Sequence, residues 1–207
     1  MRATTRAAAA ILAIAVVLGA LLGACGSTVE PLRPSAALDP TPTASATADP
    51  TQTPDIGTAV AIDPSLLEIL PANVDGLEVV ENPDGEAAAL GDPLLAKVGS
   101  AMAAGFAIDP ASGDFVYAIV IRLLPDAMDA ASFADFRATF DEGACSQADG
   151  LARSAETGIG GRTVYIGTCA GGLRTYHVWL EDRGVLISAS AVGERRLGEL
   201  LVTNLRP

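Results

Sequence analysis

Histidine is nearly missing from this 207-residue chain: His177 is the only one. One imidazole cannot build the usual histidine-based zinc sets, which disfavours a metal centre. Lysine is just as scarce, Lys97 being the only one among 13 basic residues. Against 25 acidic residues this leaves a net charge of −12, which repels nucleic-acid phosphates, so no nucleic-acid partner is expected. Aromatic residues make up only 4%, and all lie between Phe106 and Trp179, which marks the centre of a core. The chain has no internal repeat and no Asp-x-Asp-x-Asp-Gly calcium loop. Gly158-x-Gly160-Gly161 precedes a strand pattern rather than a helix, so it reads as a hairpin turn and not a phosphate cradle. No cofactor is implied.

What is present begins at the N-terminus. Arg2 and Arg6 stand before a run that is almost wholly apolar from Ala7 to Ala24 and ends in Leu22-Gly23-Ala24-Cys25. The charge, the apolar run and small residues before a cysteine together resemble the lipobox of bacterial lipoproteins. The resemblance implies that residues 1–24 are a signal peptide and that the Cys25 thiol takes a diacylglyceryl group. With acyl chains such as palmitate, the protein would sit at the extracytoplasmic face of the cell membrane. Two chains give stable attachment. A membrane-spanning helix would need neither the cysteine nor the small residues before it. An ordinary secretory signal would leave Cys25 free.

Residues 25–59 form a linker after the cysteine. It holds Pro31, Pro34, Pro40, Pro42, Pro50 and Pro54 with many Thr and Ser and no aromatic residue. Such a composition cannot offset its ordering entropy by burial. Extended at about 3.1 Å per residue, it would reach on the order of 100 Å.

Residues 60–207 make one domain of ordinary size. Asp63-Pro64 starts a helix that Pro71 stops, and 77–81 reads as a strand. Asp92-Pro93 starts another helix, with Leu94, Leu95, Val98 and Met102 as its apolar stripe and Gly105 at its end. Residues 115–124 form a strand buried on both faces. Asp126 caps a helix carrying Phe133, Phe136 and Phe140, a core stripe ended by Gly143. Four antiparallel strands follow over 151–157, 162–169, 173–180 and 185–192. A closing helix presents Leu197, Leu200, Leu201 and Leu205. This order predicts an α+β fold, a mainly antiparallel sheet with helices on one face.

Leu70-Pro71-x-x-Val74-x-Gly76 before a strand, Gly160-Gly161-Arg162-Thr163-Val164 opening a later one, and Asn204-Leu205 at the end of the last helix complete a pattern. With the lipobox and the Pro/Thr linker, it looks like a group of uncharacterised lipoproteins from high-GC Gram-positive and related bacteria. The architecture is similar to small α+β folds of the PsbP/Mog1 type. The resemblance implies no catalytic residues.

Cys145 and Cys169 remain once Cys25 carries lipid, and in an oxidising compartment they are expected to form a disulfide. A redox pair or metal ligands are the alternatives. The acidic pairs Asp126/Asp129 and Asp141/Glu142 read as helix-end charges, and Arg195-Arg196 as a solvated pair. His177 alternates with Thr175 and Trp179 on one strand face, and Ser188 and Ser190 share a face on the next. If Tyr176, Val178 and Leu180 face the helices, these five residues form an outward binding surface with Trp179 as its anchor.

The leading expectation is therefore a non-enzymatic, membrane-anchored module of the cell envelope that binds a protein, a glycan or a small ligand. One alternative is a lipid-binding or lipid-shuttling lipoprotein with an apolar cavity. Another is an envelope hydrolase using His177, which needs a serine and a carboxylate within reach of the ring. Globomycin should make uncut precursor accumulate, and Cys25→Ser should release the protein from the membrane fraction. Normal membrane retention of Cys25→Ser would remove the anchor.

Overall fold

The computed structural model describes residues 59–206. The expected signal peptide, Cys25 and the expected linker up to residue 58 lie outside the described residues. Among those described, no helix is long and apolar enough to cross a membrane.

Eight strands build the main sheet: β1 (Ala61–Ile62), β4 (Val80–Glu81), β5 (Gly99–Ile108), β6 (Phe115–Leu123), β7 (Leu151–Ile159), β8 (Arg162–Cys169), β9 (Arg174–Leu180) and β10 (Val185–Val192). A small hairpin pairs β2 (Asn73–Val74) with β3 (Leu77–Glu78). The sheet runs β1-β5-β6-β10-β9-β8-β7, with β4 also on β5. Every pairing is antiparallel except β1 with β5. The expected α+β class is what the structure shows.

Local chemistry sets the helices. A 3₁₀ helix spans Pro64–Ile69, and the Asp63 carboxylate accepts the Ser65 amide at its start. Asn82 caps α1 (Pro83–Ala89) and Asp92 caps α2 (Pro93–Val98), each with proline in the first turn. The long helix α3 (Ala130–Cys145) is capped by Asp129, whose carboxylate accepts the Ser132 amide at 2.7 Å. Asp126, the expected cap, sits instead in a preceding turn at φ 56°. Gly143 does not end α3, which continues to Cys145. The last helix, α4, covers Leu197–Thr203.

The expected helix from Pro93 through Met102 stops at Val98. Met102 and Gly105 belong to β5, a strand whose two faces are both buried. Full burial removes the polar alternation that identifies a strand, so the small apolar residues there mimic a helical stripe.

The helices also divide between the two faces. Leu66 of the 3₁₀ helix, Leu70 at its C-terminal cap, and Leu197, Leu201 and Val202 of α4 pack with Ala103, Ala118, Tyr176, Val178 and Ile187 on one face. On the other, Leu95 and Val98 of α2 and Phe133 and Phe136 of α3 pack with Met102, Ala104, Ile121 and Leu186. Each fully buried leucine contributes about 1.5–3 kcal/mol. Gly198 lets α4 approach the sheet: a Cβ there would lie 2.3 Å from the Tyr176 ring.

Two crosslinks hold the periphery. Arg196 is exposed as expected, whereas Arg195 is half-buried and engaged. It joins Asp75 of the small hairpin and Asp109 of the β5–β6 loop, at 2.6 Å each, while its amide donates to Asp114. Cys145, in the last turn of α3, is bonded to Cys169 at the end of β8, with the Cα atoms 5.2 Å apart. The expected disulfide is present.

The disulfide closes a loop with a sequence separation of 24, so the chain-entropy relation gives it about 3.5 kcal/mol. Urea unfolding of Cys145→Ala/Cys169→Ala should show that loss. A midpoint equal to that of the oxidised wild type would contradict a stabilising role.

Candidate functional site

The register of β6, β10, β9 and β8 decides which polar side chains meet. Ser188 lies opposite His177, and His177 lies opposite Tyr165. In the adjacent row Tyr117, Ser190, Thr175 and Gly167 are successive cross-strand partners. Both rows face α3. Cross-strand neighbours on one face lie close enough to bond, so a polar line forms under the helix.

Asp141 of α3 reaches into this line. Its Oδ1 accepts His177 Nε2 at 2.9 Å and also the Thr175 hydroxyl. His177 Nδ1 lies 2.9 Å from Ser188 Oγ, and Thr175 Oγ1 accepts the Gly167 amide at 3.1 Å. An ionised carboxylate only accepts, so Nε2 carries the hydrogen, and in the neutral ring Nδ1 accepts from the Ser188 hydroxyl. Gly167 makes room for the network, since a Cβ there would lie 2.3 Å from Thr175 Oγ1 and 2.8 Å from Asp141 Oδ2.

Burial pushes the Asp141 carboxyl up. The hydrogen bonds from His177 and Thr175, with the charge of Arg137, outweigh it, so its pKa lies below the ordinary 3.8. Arg137, one turn earlier on α3, lies over the Tyr165 ring at 3.8 Å and over Phe133 at 4.9 Å.

A serine, a histidine and an aspartate in hydrogen-bonded series have the elements of a nucleophilic triad. Two features separate this one from a working triad. His177 and Ser188 have no exposed surface, and the Phe140 ring stands edge-on to the imidazole at 5.1 Å. The ring is also reversed: Nδ1 faces the serine and Nε2 the carboxylate, whereas a serine hydrolase uses Nε2 toward its nucleophile. What the geometry does is tie α3 to the sheet.

The expected outward surface of Thr175, His177, Trp179, Ser188 and Ser190 is therefore corrected: α3 covers it. Thr175, His177 and Ser188 are fully buried, and Trp179 is half-buried against Phe133 at 5.6 Å. Helices on both faces bury both sets of side chains on β9, so its alternation could not reveal an outer side. Asp141, read from the sequence as a helix-end charge, is the keystone of the network. Its signal was its place eight residues after Phe133 and four before Cys145, on the side of α3 that faces the sheet.

Of the five, Ser190 alone lines the cleft beside α3. It is 9% exposed, and the cleft, of about 330 Å³, lies between α2 and α3. Asp92 and Leu94 form one wall, and Phe136, Thr139, Phe140, Gly143 and Ala144 the other, with Tyr117 beside Ser190 in the floor. Burial and then the charge of Glu86 push the Tyr117 phenol up to about 12, so it stays protonated. Glu86 is itself buried and accepts the Ala104 amide at 3.0 Å. Among the described residues no group of three or more His, Cys, Asp or Glu is placed to hold a metal.

No family model matches the chain, and comparison with curated proteins and with solved structures returned no significant match.

Asp141→Ala would leave the Thr175 hydroxyl and His177 Nε2 as buried donors without an acceptor, at about 1–3 kcal/mol each. A drop of that order in unfolding free energy is expected. In the wild type the Asp141 contribution is complete above the ordinary pKa of 3.8 and is lost as pH falls through the lower folded value. Asp141→Asn should therefore flatten stability against pH below about 4. An unchanged acid limb would show that the carboxylate does not carry it.

Proposed function

We propose that this chain is an exported lipoprotein, acylated at Cys25 and held at the extracytoplasmic face of the cell membrane, whose domain is a non-enzymatic binding module. On this reading it belongs with the high-GC bacterial lipoproteins that its motifs resemble. The likeness to the PsbP/Mog1 type is part of the same proposal. The Cys145–Cys169 disulfide supports the compartment, because such bonds persist where thiols are oxidised.

The observation that carries the binding reading is the contrast between two neighbouring places on one sheet face. The Ser188–His177–Asp141 series is sealed, which favours a structural role over hydrolysis. The cleft beside it is open, has mainly apolar and aromatic walls and ends on a few hydroxyls. Its 330 Å³ lies at the lower end of small-molecule sites, which run to about 1,000 Å³. That size suits a head group or a small organic molecule better than a whole lipid chain, so it supports a binding module ahead of a lipid shuttle. The site proposed for the ligand thus moves from the Trp179 face to the α2–α3 cleft.

Native mass spectrometry of the protein purified from its host should reveal a small co-purifying mass, lost in Ala144→Phe, which fills the cleft. Retention of that mass in Ala144→Phe would displace the site. Hydrolysis of a chromogenic ester should not differ between wild type and Ser188→Ala, and turnover abolished by Ser188→Ala would favour a hydrolase instead.

A further inference from the structure

We infer that the cleft between α2 and α3 takes an organic cation: a quaternary or small alkylammonium group. This rests on reading the cleft as the ligand site and names the chemistry of what enters it.

Three aromatic side chains, Tyr117, Phe136 and Phe140, line the cleft, although aromatics are only 4% of the chain. Aromatic faces attract cations, and grouped rings with a nearby carboxylate are how proteins hold quaternary ammonium groups. The carboxylate here is Asp92. Its Oδ1 accepts the Leu94 amide at 2.8 Å, and Oδ2 makes no hydrogen bond among the described residues. Behind the lining stand two buried acids. Glu86 is close enough to Tyr117 to raise its phenol, and Asp141 is bonded to His177, on whose ring Phe140 stands edge-on. Gly143 and Ala144 lie in the last turns of the 16-residue α3, where the helix carries partial negative charge. The short helix α2 opposes this at its N-terminal end, but it has six residues and Asp92 caps it.

Counter-charges are few. No Lys, Arg or His lines the cleft. Arg137 on α3 is engaged over Tyr165 and Phe133, and Lys97 on α2 is exposed and not part of the lining. An anion would meet no cation in the lining and one carboxylate, Asp92. A neutral apolar group would make no use of the exposed Asp92 carboxylate at the mouth of the cleft. A cation with methyl groups satisfies both the rings and the acid, and the overall charge of −12 draws it toward the protein.

The test uses full-length protein in detergent at low salt, with choline and its uncharged isostere 3,3-dimethylbutan-1-ol as probes in calorimetry and saturation-transfer NMR. Choline should bind at least about tenfold more tightly than the isostere, a margin typical of a desolvated cation on aromatic rings. Asp92→Asn keeps a good helix cap and should weaken choline about tenfold without changing the isostere. Thr139→Arg changes an exposed residue on the rim, so the fold is retained, and the added positive charge should abolish choline binding. Equal affinity for the two probes would overturn the cation and leave the binding site standing. Binding of neither probe to a protein with wild-type melting behaviour would overturn both.

Discussion

The structure turns on one carboxylate. Asp141 is charged, belongs to a helix and is pressed against a sheet, where its desolvation is costly unless every lone pair it turns inward is used. His177 and Thr175 use it, and they in turn engage Ser188 and the Gly167 amide. Each donor therefore has an acceptor, which turns a destabilising burial into a fixed alignment of α3 on β8, β9 and β10. The disulfide acts at the end of the same helix, four residues on. Together they leave α3 little freedom to shift or rotate.

That alignment has two consequences. Phe140 is placed edge-on to His177, closing the polar series from solvent. The C-terminal half of the helix, from Phe136 to Ala144, also becomes the wall of the cleft, opposite α2, with Ser190 and Tyr117 beneath. The sealed polar line and the open apolar cleft are thus two sides of one packing decision. Moving α3 outward would open the first and destroy the second. The opposite face is mainly close apolar contact, with α4 resting on Tyr176 where Gly198 carries no Cβ. It is tied at its edge by Arg206 to the Leu70 carbonyl and by Arg162 to the Leu205 carbonyl.

Charge completes the design. The acids outnumber the bases about two to one, and the arginines in well-defined places serve as structural ties. Arg195 gathers Asp75 and Asp109, and Arg137 covers Tyr165. What remains around the cleft is carboxylate, aromatic ring and hydroxyl.

Much of this was legible along the chain. The four β-strands from Leu151 to Val192 follow period-two patterns broken by glycine turns, and Asp63-Pro64 and Asp92-Pro93 announce helix starts through capping chemistry that acts within three residues. Such signals are local, so the sequence alone determined them, together with the class of fold and the pairing of the last two cysteines. Burial on both faces erased the others. It hid β5 behind small apolar residues and left Thr175, His177 and Trp179 without an identifiable side. That Ser188 rather than Ser190 bonds His177 depends on the β9–β10 register. That Asp141 reaches them depends on α3 crossing above, 36 residues earlier in the chain. Only tertiary structure could decide these contacts, because hydrogen bonds between distant residues depend on register and on the path of the helix, and no short window of sequence contains either.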